Sequence, residues 1–226
     1  MNGKPDLASP ANRRARILLV DDHPLVRERL AEIINREKDL VICGEAEDRH
    51  QALQAIKNCA PHLVIVDITL KSSDGVELIK DIHARWPALQ SLVISMHDES
   101  LYAERALRAG ARGYITKQEA TRNILSAIRR VLSGQIYLND RIASRILSRL
   151  ALPAPTSAET PSDLLADREL QVFELTGRGL NTRQIAAQLH LGVKTVETYR
   201  ARIREKLDVK DPDDLLALAI TWTHRK

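Results

Sequence analysis

Leu63-Val64-Ile65-Val66-Asp67 is a short apolar run, rich in β-branched residues, that stops on a carboxylate. Such runs read as buried strands of a parallel sheet. Open α/β sheets bind their ligands at the carboxyl ends of the strands. Asp67 is therefore either a helix-capping acid or a reactive one. What decides is whether other parts of the chain bring complementary groups to the same edge.

Outward from this run, apolar strands alternate with amphipathic helices. Ile17–Val20 leads into Asp21-Asp22, and Pro24 opens a helix carrying Leu25, Leu30, Ile33 and Ile34. Leu40–Ala46 is a second strand, followed by a helix that Asp48 can cap. After Asp67, a loop ending in Asp74-Gly75 starts a helix through Ile82 that stops before Pro87. Leu89–Ser95 and Arg112–Thr116 are the fourth and fifth strands, and Gly134 closes the last helix of the set. Five strands alternating with five helices predict a doubly wound parallel sheet. Right-handed crossovers then bring all the strand carboxyl ends to one edge. Asp21, Asp22, Asp67, Ser95 and Lys117 all fall there.

Ala151–Ser162 (ALPAPTSAETPS) is a Pro/Ser/Thr/Ala linker, preceded by an amphipathic connecting helix over Asn139–Leu150. Beyond it the pattern is helical throughout: Asp167–Thr176, a helix opened by Asn181 with Gln184 three residues on, Val193–Leu207, and one starting at Pro212. The expected division is a tail over 1–15, an α/β domain over 16–134, connecting helix and linker over 135–163, and an all-α domain over 164–226.

Length and composition suit two small domains or one large one. The chain has 226 residues, is 44% hydrophobic and 28% charged, and carries a net charge of +4. Aromatics are only 3%, so the cores must be aliphatic. The positive balance permits nucleic-acid binding without showing it. No apolar run approaches the roughly 18 residues of a membrane span, and the polar N-terminus lacks a signal-peptide core. Cys43 and Cys59 have no metal-ligand spacing and read as buried free thiols, which suits a reducing cytoplasm.

Three carboxylates at one edge repel unless a cation sits among them, and a hard divalent ion such as Mg²⁺ suits oxygen ligands. Lys117 adds a positive charge and Ser95 a hydroxyl donor. Together they would neutralise a phosphoryl group carried by Asp67 as an acyl phosphate. Alone, each group has an ordinary explanation as a cap, a turn residue or a solvated lysine. Five groups from four strands on one edge are harder to dismiss.

Residues 16–134 resemble a response-regulator receiver domain, flavodoxin-like in fold. The matching residues are Asp21-Asp22, Asp67 with Asp74-Gly75, Ser95, and Gly113-Tyr114-Ile115-Thr116-Lys117. The resemblance implies that Asp67 accepts a phosphoryl group from a sensor histidine kinase with Mg²⁺ bound. It implies Asp22 and Asp67 as direct ligands, the backbone carbonyl of Thr69 completing the protein set, and Asp21 near the ion through water. Ser95 and Lys117 would bind the phosphoryl group, and Tyr114 matches the switch aromatic. One departure is Lys71, where receivers usually carry proline. His23 and Met96 read as neighbours without chemistry.

In the third helix of the all-α domain, Val196, Tyr199, Ile203 and Leu207 share one face, which should be buried. Lys194, Arg200, Arg202, Arg204 and Lys206 make the rest basic, and such a helix fits the major groove. Residues 164–222 resemble a LuxR-type helix-turn-helix domain through Arg168-Glu169, Val172, Gly179-Leu180-Asn181, Gln184-Ile185-Ala186, Leu189, Lys194-Thr195-Val196-Glu197 and Lys206-Leu207. The whole chain is thus similar to two-component regulators of the NarL/FixJ type. The likeness implies phosphate contacts from Lys194, Thr195 and Arg202, with Arg200 also on the DNA side. It places Glu197, Thr198 and Ala201 against base edges. Gly192 stands where family members often have a serine cap. Leu215, Leu216 and Ala219 are candidates for a dimer surface, for a homodimer on promoter DNA.

The expected function is a cytoplasmic, phosphorylation-controlled transcription regulator. Its own chemistry would be limited to autophosphorylation from a phosphodonor and slow autodephosphorylation. One rival is a regulator or interaction module that works without phosphorylation. Another is an Asp-nucleophile phosphohydrolase, disfavoured because Thr69 stands where its general acid would be.

Overall fold

The computed structural model describes residues 14–70, 74–96, 100–151 and 161–224. The N-terminal tail, Lys71 and most of the linker lie outside the described residues.

Five parallel strands form one sheet in the order β2-β1-β3-β4-β5. They are β1 (Ala15–Val20), β2 (Leu40–Ala46), β3 (Leu63–Asp67), β4 (Gln90–Ser95) and β5 (Gly113–Thr116). Every residue of β3, the central strand, is buried. Side chains alternate between the two faces. Ile17, Leu19, Ile65, Ile94 and Ile115 pack with Leu30 and Ile34 of α1 (Pro24–Asn35) and with Ile124 and Ile128 of α5 (Lys117–Leu132). On the opposite face Leu18, Val64, Val66 and Val93 meet α2 (Arg49–Cys59), α3 (Gly75–Arg85) and α4 (Ser100–Arg108). Covering both faces is what allows near-continuous apolar strands to be stable in water.

Local sequence sets the helix starts. Asp48 accepts from the Gln51 backbone N–H at 2.8 Å, and Asp74 from that of Val76 at 2.8 Å. Thr116 and Glu119 close a capping box at the start of α5. Gly75 has a different role. A Cβ there would lie 2.2 Å from the Asp67 carbonyl oxygen, so only glycine lets α3 start this close to β3.

The remaining helices are α6 (Asp140–Ala151), α7 (Pro161–Leu164), α8 (Asp167–Gly177), α9 (Thr182–Gln188), α10 (Val193–Lys206) and α11 (Pro212–His224). Asn181 and Gln184 form the expected capping box on α9. Val196 and Ile203 of α10 are buried, with Tyr199 and Leu207 half-buried, as the spacing predicts. All of α8 is buried. One side packs against α10 and α11, and the other lies against the α/β domain, so the apolar core is continuous between the two domains.

Candidate acidic site and nucleic-acid interface

Strand ends build the site. Asp67 is the last residue of β3, pairs in register with Ile94, and is followed across the sheet by Ser95 at the end of β4. Asp21 and Asp22 follow β1, and Lys117 follows β5. Asp21, Asp67 and Ser95 are buried. The Lys117 ammonium lies 2.7 Å from an Asp21 oxygen and 2.8 Å from an Asp67 oxygen. Ligand atoms of Asp21, Asp22, His23 and Asp67 all lie within 4.8 Å of one another. The sequence therefore placed these residues on one edge, and the fold brings their charged atoms into contact.

Burial is the main cause of a raised pKa at Asp67, pushed up to about 6. The Asp21 carboxylate adds to the rise, and Lys117 works against it. At Lys117 burial disfavours the ammonium, but Asp67 and Asp21 outweigh it and hold the group above the ordinary lysine value. The Thr69 backbone N–H donates to the other Asp67 oxygen at 3.1 Å.

The donor set fits a hard divalent cation. Buried oxygens Asp21 Oδ2 and Asp22 Oδ1 have the Lys117 ammonium at 2.7 Å and the His23 ring nitrogen at 2.9 Å, respectively, but no aligned hydrogen-bond donor. Oxygen-only groups left in this way suit Mg²⁺. His23, read as a neighbour without chemistry, sits 3.0 Å from Asp21 and 2.9 Å from Asp22. Met96 is exposed. Tyr114 is fully buried.

The α8 helix makes contacts that sequence reasoning missed. Arg168 donates to the Leu70 carbonyl, and Gln171 Nε2 donates to Thr69 Oγ1 at 3.2 Å. Both acceptors belong to the loop leaving Asp67. The Tyr102 hydroxyl of α4 donates to Glu174 at 2.8 Å. Arg105 of α4 donates to the Leu165 carbonyl at 3.0 Å and lies 2.6 Å from Asp167. Arg168 was visible only as part of a motif. The unusual polarity of a fully buried helix was the one available signal.

On α10, Lys194, Thr195, Glu197, Thr198, Ala201 and Arg202 are exposed. Arg200 differs: it is half-buried and donates to Thr182 Oγ1 at 3.1 Å, tying α10 to α9. Thr195, Tyr199 and Arg202 face a crevice whose other wall includes Asp74 and Arg168. His190, which also lines the crevice, meets the His23 ring edge to face, with centroids 5.6 Å apart.

The dimer-surface expectation needs correcting. Leu215 and Ala219 are 1% and 0% exposed, because α11 turns them inward onto α8. A Cβ at Gly177 of α8 would meet the Ala219 carbonyl oxygen at 2.4 Å, which shows how tight that packing is. Leu216 is exposed, as is Ile220 one turn on.

Comparison with known families now bears on this geometry. Residues 17–129 match the response regulator receiver domain, and residues 163–219 match the bacterial regulatory proteins of the luxR family. The chain is 36% identical over 206 residues to the transcriptional activator protein ExaE of Pseudomonas putida, covering 90% of this chain and 95% of that one. This chain belongs to the NarL/FixJ-type response regulators. It is a DNA-binding response regulator, with a receiver domain joined to a LuxR-type helix-turn-helix domain. Response regulator UvrY of Escherichia coli strain K12 is 34% identical over 206 residues, 90% of this chain and 93% of UvrY. A LuxR-family two-component response regulator from Aurantimonas sp. SI85-9A1 superposes with a TM-score of 0.58 at 34% identity, over 62% of this chain and all of that one. RcsB of Salmonella enterica serovar Typhimurium, solved bound to promoter P1flhDC, shares the fold with a TM-score of 0.57 at 23% identity, over 92% of this chain and 98% of RcsB. Among the described residues no helix is long and apolar enough to cross a membrane.

Proposed function

We propose that Asp67 takes a phosphoryl group from the phosphohistidine of a sensor kinase, and that this releases the helix-turn-helix domain to bind promoter DNA. The observation that carries the reading is the pair of α8 contacts to Thr69 and Leu70, two and three residues beyond Asp67. Chemistry at the carboxylate and docking of the DNA-binding domain share one loop.

In the transfer, an Asp67 oxygen attacks phosphorus, the acyl phosphate P–O bond forms, and the P–N bond to the imidazole breaks. Lys117 then pairs with the phosphoryl oxygens in place of one carboxylate partner, and the Ser95 hydroxyl donates to another. Asp22, Asp67 and the Thr69 carbonyl would hold Mg²⁺, with Asp21 beside it. The ion would supply charge neutralisation as the phosphoryl group arrives. A dianion this close to the loop disturbs the Thr69 hydroxyl and Leu70 carbonyl that Gln171 and Arg168 hold.

In the docked form Thr195 and Arg202 face the receiver across the crevice. A helix that reads the major groove needs that face free. Opening gives a duplex room to reach this helix, with Lys194, Thr195 and Arg202 against phosphates and Glu197, Thr198 and Ala201 against base edges. We assign the receiver to residues 16–134 and the DNA-binding domain to 164–226. The protein acts in the cytoplasm as a homodimer on DNA, with Leu216 and Ile220 of α11 as the exposed apolar contact.

The phosphohydrolase reading is disfavoured by Thr69, whose hydroxyl is occupied by Gln171 and is no acid. Acetyl phosphate with Mg²⁺ should give a labile phosphoryl adduct by mass spectrometry and tighten DNA binding. An adduct that persists in Asp67→Asn, or DNA binding unaffected by phosphorylation, would overturn the proposal.

A further inference from the structure

Outside the acidic edge, the fold brings together a second pair of reactive side chains. Cys43 of β2 and Cys59 at the end of α2 are sixteen residues apart, and their sulfurs lie 2.7 Å from each other. Both side chains are half-buried rather than buried, contrary to the expectation from sequence. A small solute can therefore reach them.

Three local features aim the two sulfurs at one point. First, β1 and β2 change register at Cys43: Ile17 pairs with Ile42, and Leu18 with Gly44. Cys43 is the extra residue of a bulge, a device that redirects a side chain. Second, Gly44 follows Cys43 in β2 and lies beside Cys59, whose sulfur would be in ordinary contact, at 3.6 Å, with a Cβ added there. Third, the backbone after Cys59 is held in place. Ala60 caps α2 in the left-handed region, at φ 42° and ψ 65°. The Arg16 side chain donates from Nε to the Cys59 and Ala60 carbonyls at 3.0 Å each. A left-handed alanine is uncommon and persists where its surroundings over-determine it.

We propose that Cys43 and Cys59 form a reversible dithiol–disulfide pair, oxidised by hydrogen peroxide and reset by cellular thiols. The Cys59 thiolate attacks one peroxide oxygen; the O–O bond breaks and hydroxide leaves, giving a sulfenic acid. The Cys43 sulfur then attacks the Cys59 sulfur and gives up its proton. The S–S bond forms, the S–O bond breaks, and water leaves. Two electrons pass from the two thiols to the peroxide, which ends as two waters. Burial, and then the neighbouring Cys59 thiol, pushes the Cys43 thiol up to about 12. Cys43 thus stays protonated at neutral pH, which leaves the first attack to Cys59 and makes loss of the Cys43 proton part of the second step. The product ties an edge strand of the sheet covalently to the end of α2.

The test uses the full chain, reduced and desalted, then treated with hydrogen peroxide and quenched with N-ethylmaleimide. Intact mass should show both alkylation sites lost together, with a mass lower by two hydrogens. The protein should remain a monomer on a non-reducing gel, and dithiothreitol should restore both sites. In Cys43→Ser the Cys59 sulfenic acid should accumulate and be trapped by dimedone. Retention of both thiols, loss of only one, irreversible over-oxidation, or an interchain disulfide would overturn the proposal.

Discussion

Asp167→Asn should hold the two domains together more tightly and weaken DNA binding by the unphosphorylated protein. Asp167 starts α8 and its side chain is 5% exposed, against the receiver. Its pKa is pushed up to about 7, by burial first and then by Asp74, with Arg105 and Lys80 pulling the other way. Those charged neighbours all belong to the receiver, so the shift is a property of the docked state. Undocked, the acid returns to the ordinary carboxylate range. The rise corresponds to about 4 kcal/mol against the ionised docked form. Asp74 opposite is also raised, chiefly by its own burial, so only part of the rise, on the order of 2 kcal/mol, is taken for Asp167. That is about a 30-fold change in an equilibrium constant. The sign follows from proton counting. The docked form binds a proton that the open form does not, so docking is favoured at low pH and weakens as pH rises from about 4 through about 7. The amide removes both the penalty and the slope. The assay is fluorescence anisotropy on a duplex selected for binding to the full chain, at constant ionic strength. At neutral pH the variant should bind about 30-fold more weakly than its parent, with the parent's excess pH dependence gone. Equal affinity, or an unchanged pH profile between about pH 5 and pH 8, would refute the reasoning.

Lys117→Met leaves the buried Asp21 and Asp67 carboxylates without their shared cation. It should cost about 3 kcal/mol in EDTA, with Mg²⁺ recovering part of the loss in thermal melts. Calorimetric Mg²⁺ affinity should fall about tenfold per pH unit below the Asp67 value of about 6, because the ion must displace that proton. Gly75→Ala drives a Cβ into the Asp67 carbonyl oxygen, so it should lower stability by about 3 kcal/mol and slow phosphorylation by acetyl phosphate. Arg202→Ala should reduce the salt slope of DNA binding by about 1. Arg200→Ala, which breaks the bond to Thr182, should instead lower the melting temperature with little change in slope.

Much of the receiver was legible because its signals are local and periodic. The β3 run, the acids after β1 and β3, and the lysine after β5 need only strand alternation and right-handed crossovers to meet. Capping at Asp48, Asp74 and Asn181 is read within four residues. The buried face of α10 follows from its spacing. By contrast, Leu215, Leu216 and Ala219 were indistinguishable in sequence. Which of them is buried depends on how α11 rotates against Gly177.

The chain's sequence by itself determined the parallel sheet, the acidic edge around Asp67 and the helix-turn-helix, since each rests on short-range pattern. Only the tertiary structure decided that α8 grips the loop after Asp67, that Arg200 bonds to Thr182 of α9, and that Cys43 meets Cys59. Those are contacts between surfaces distant in sequence. They depend on side-chain packing and on a one-residue bulge in β2, and neither leaves a periodic trace in the chain.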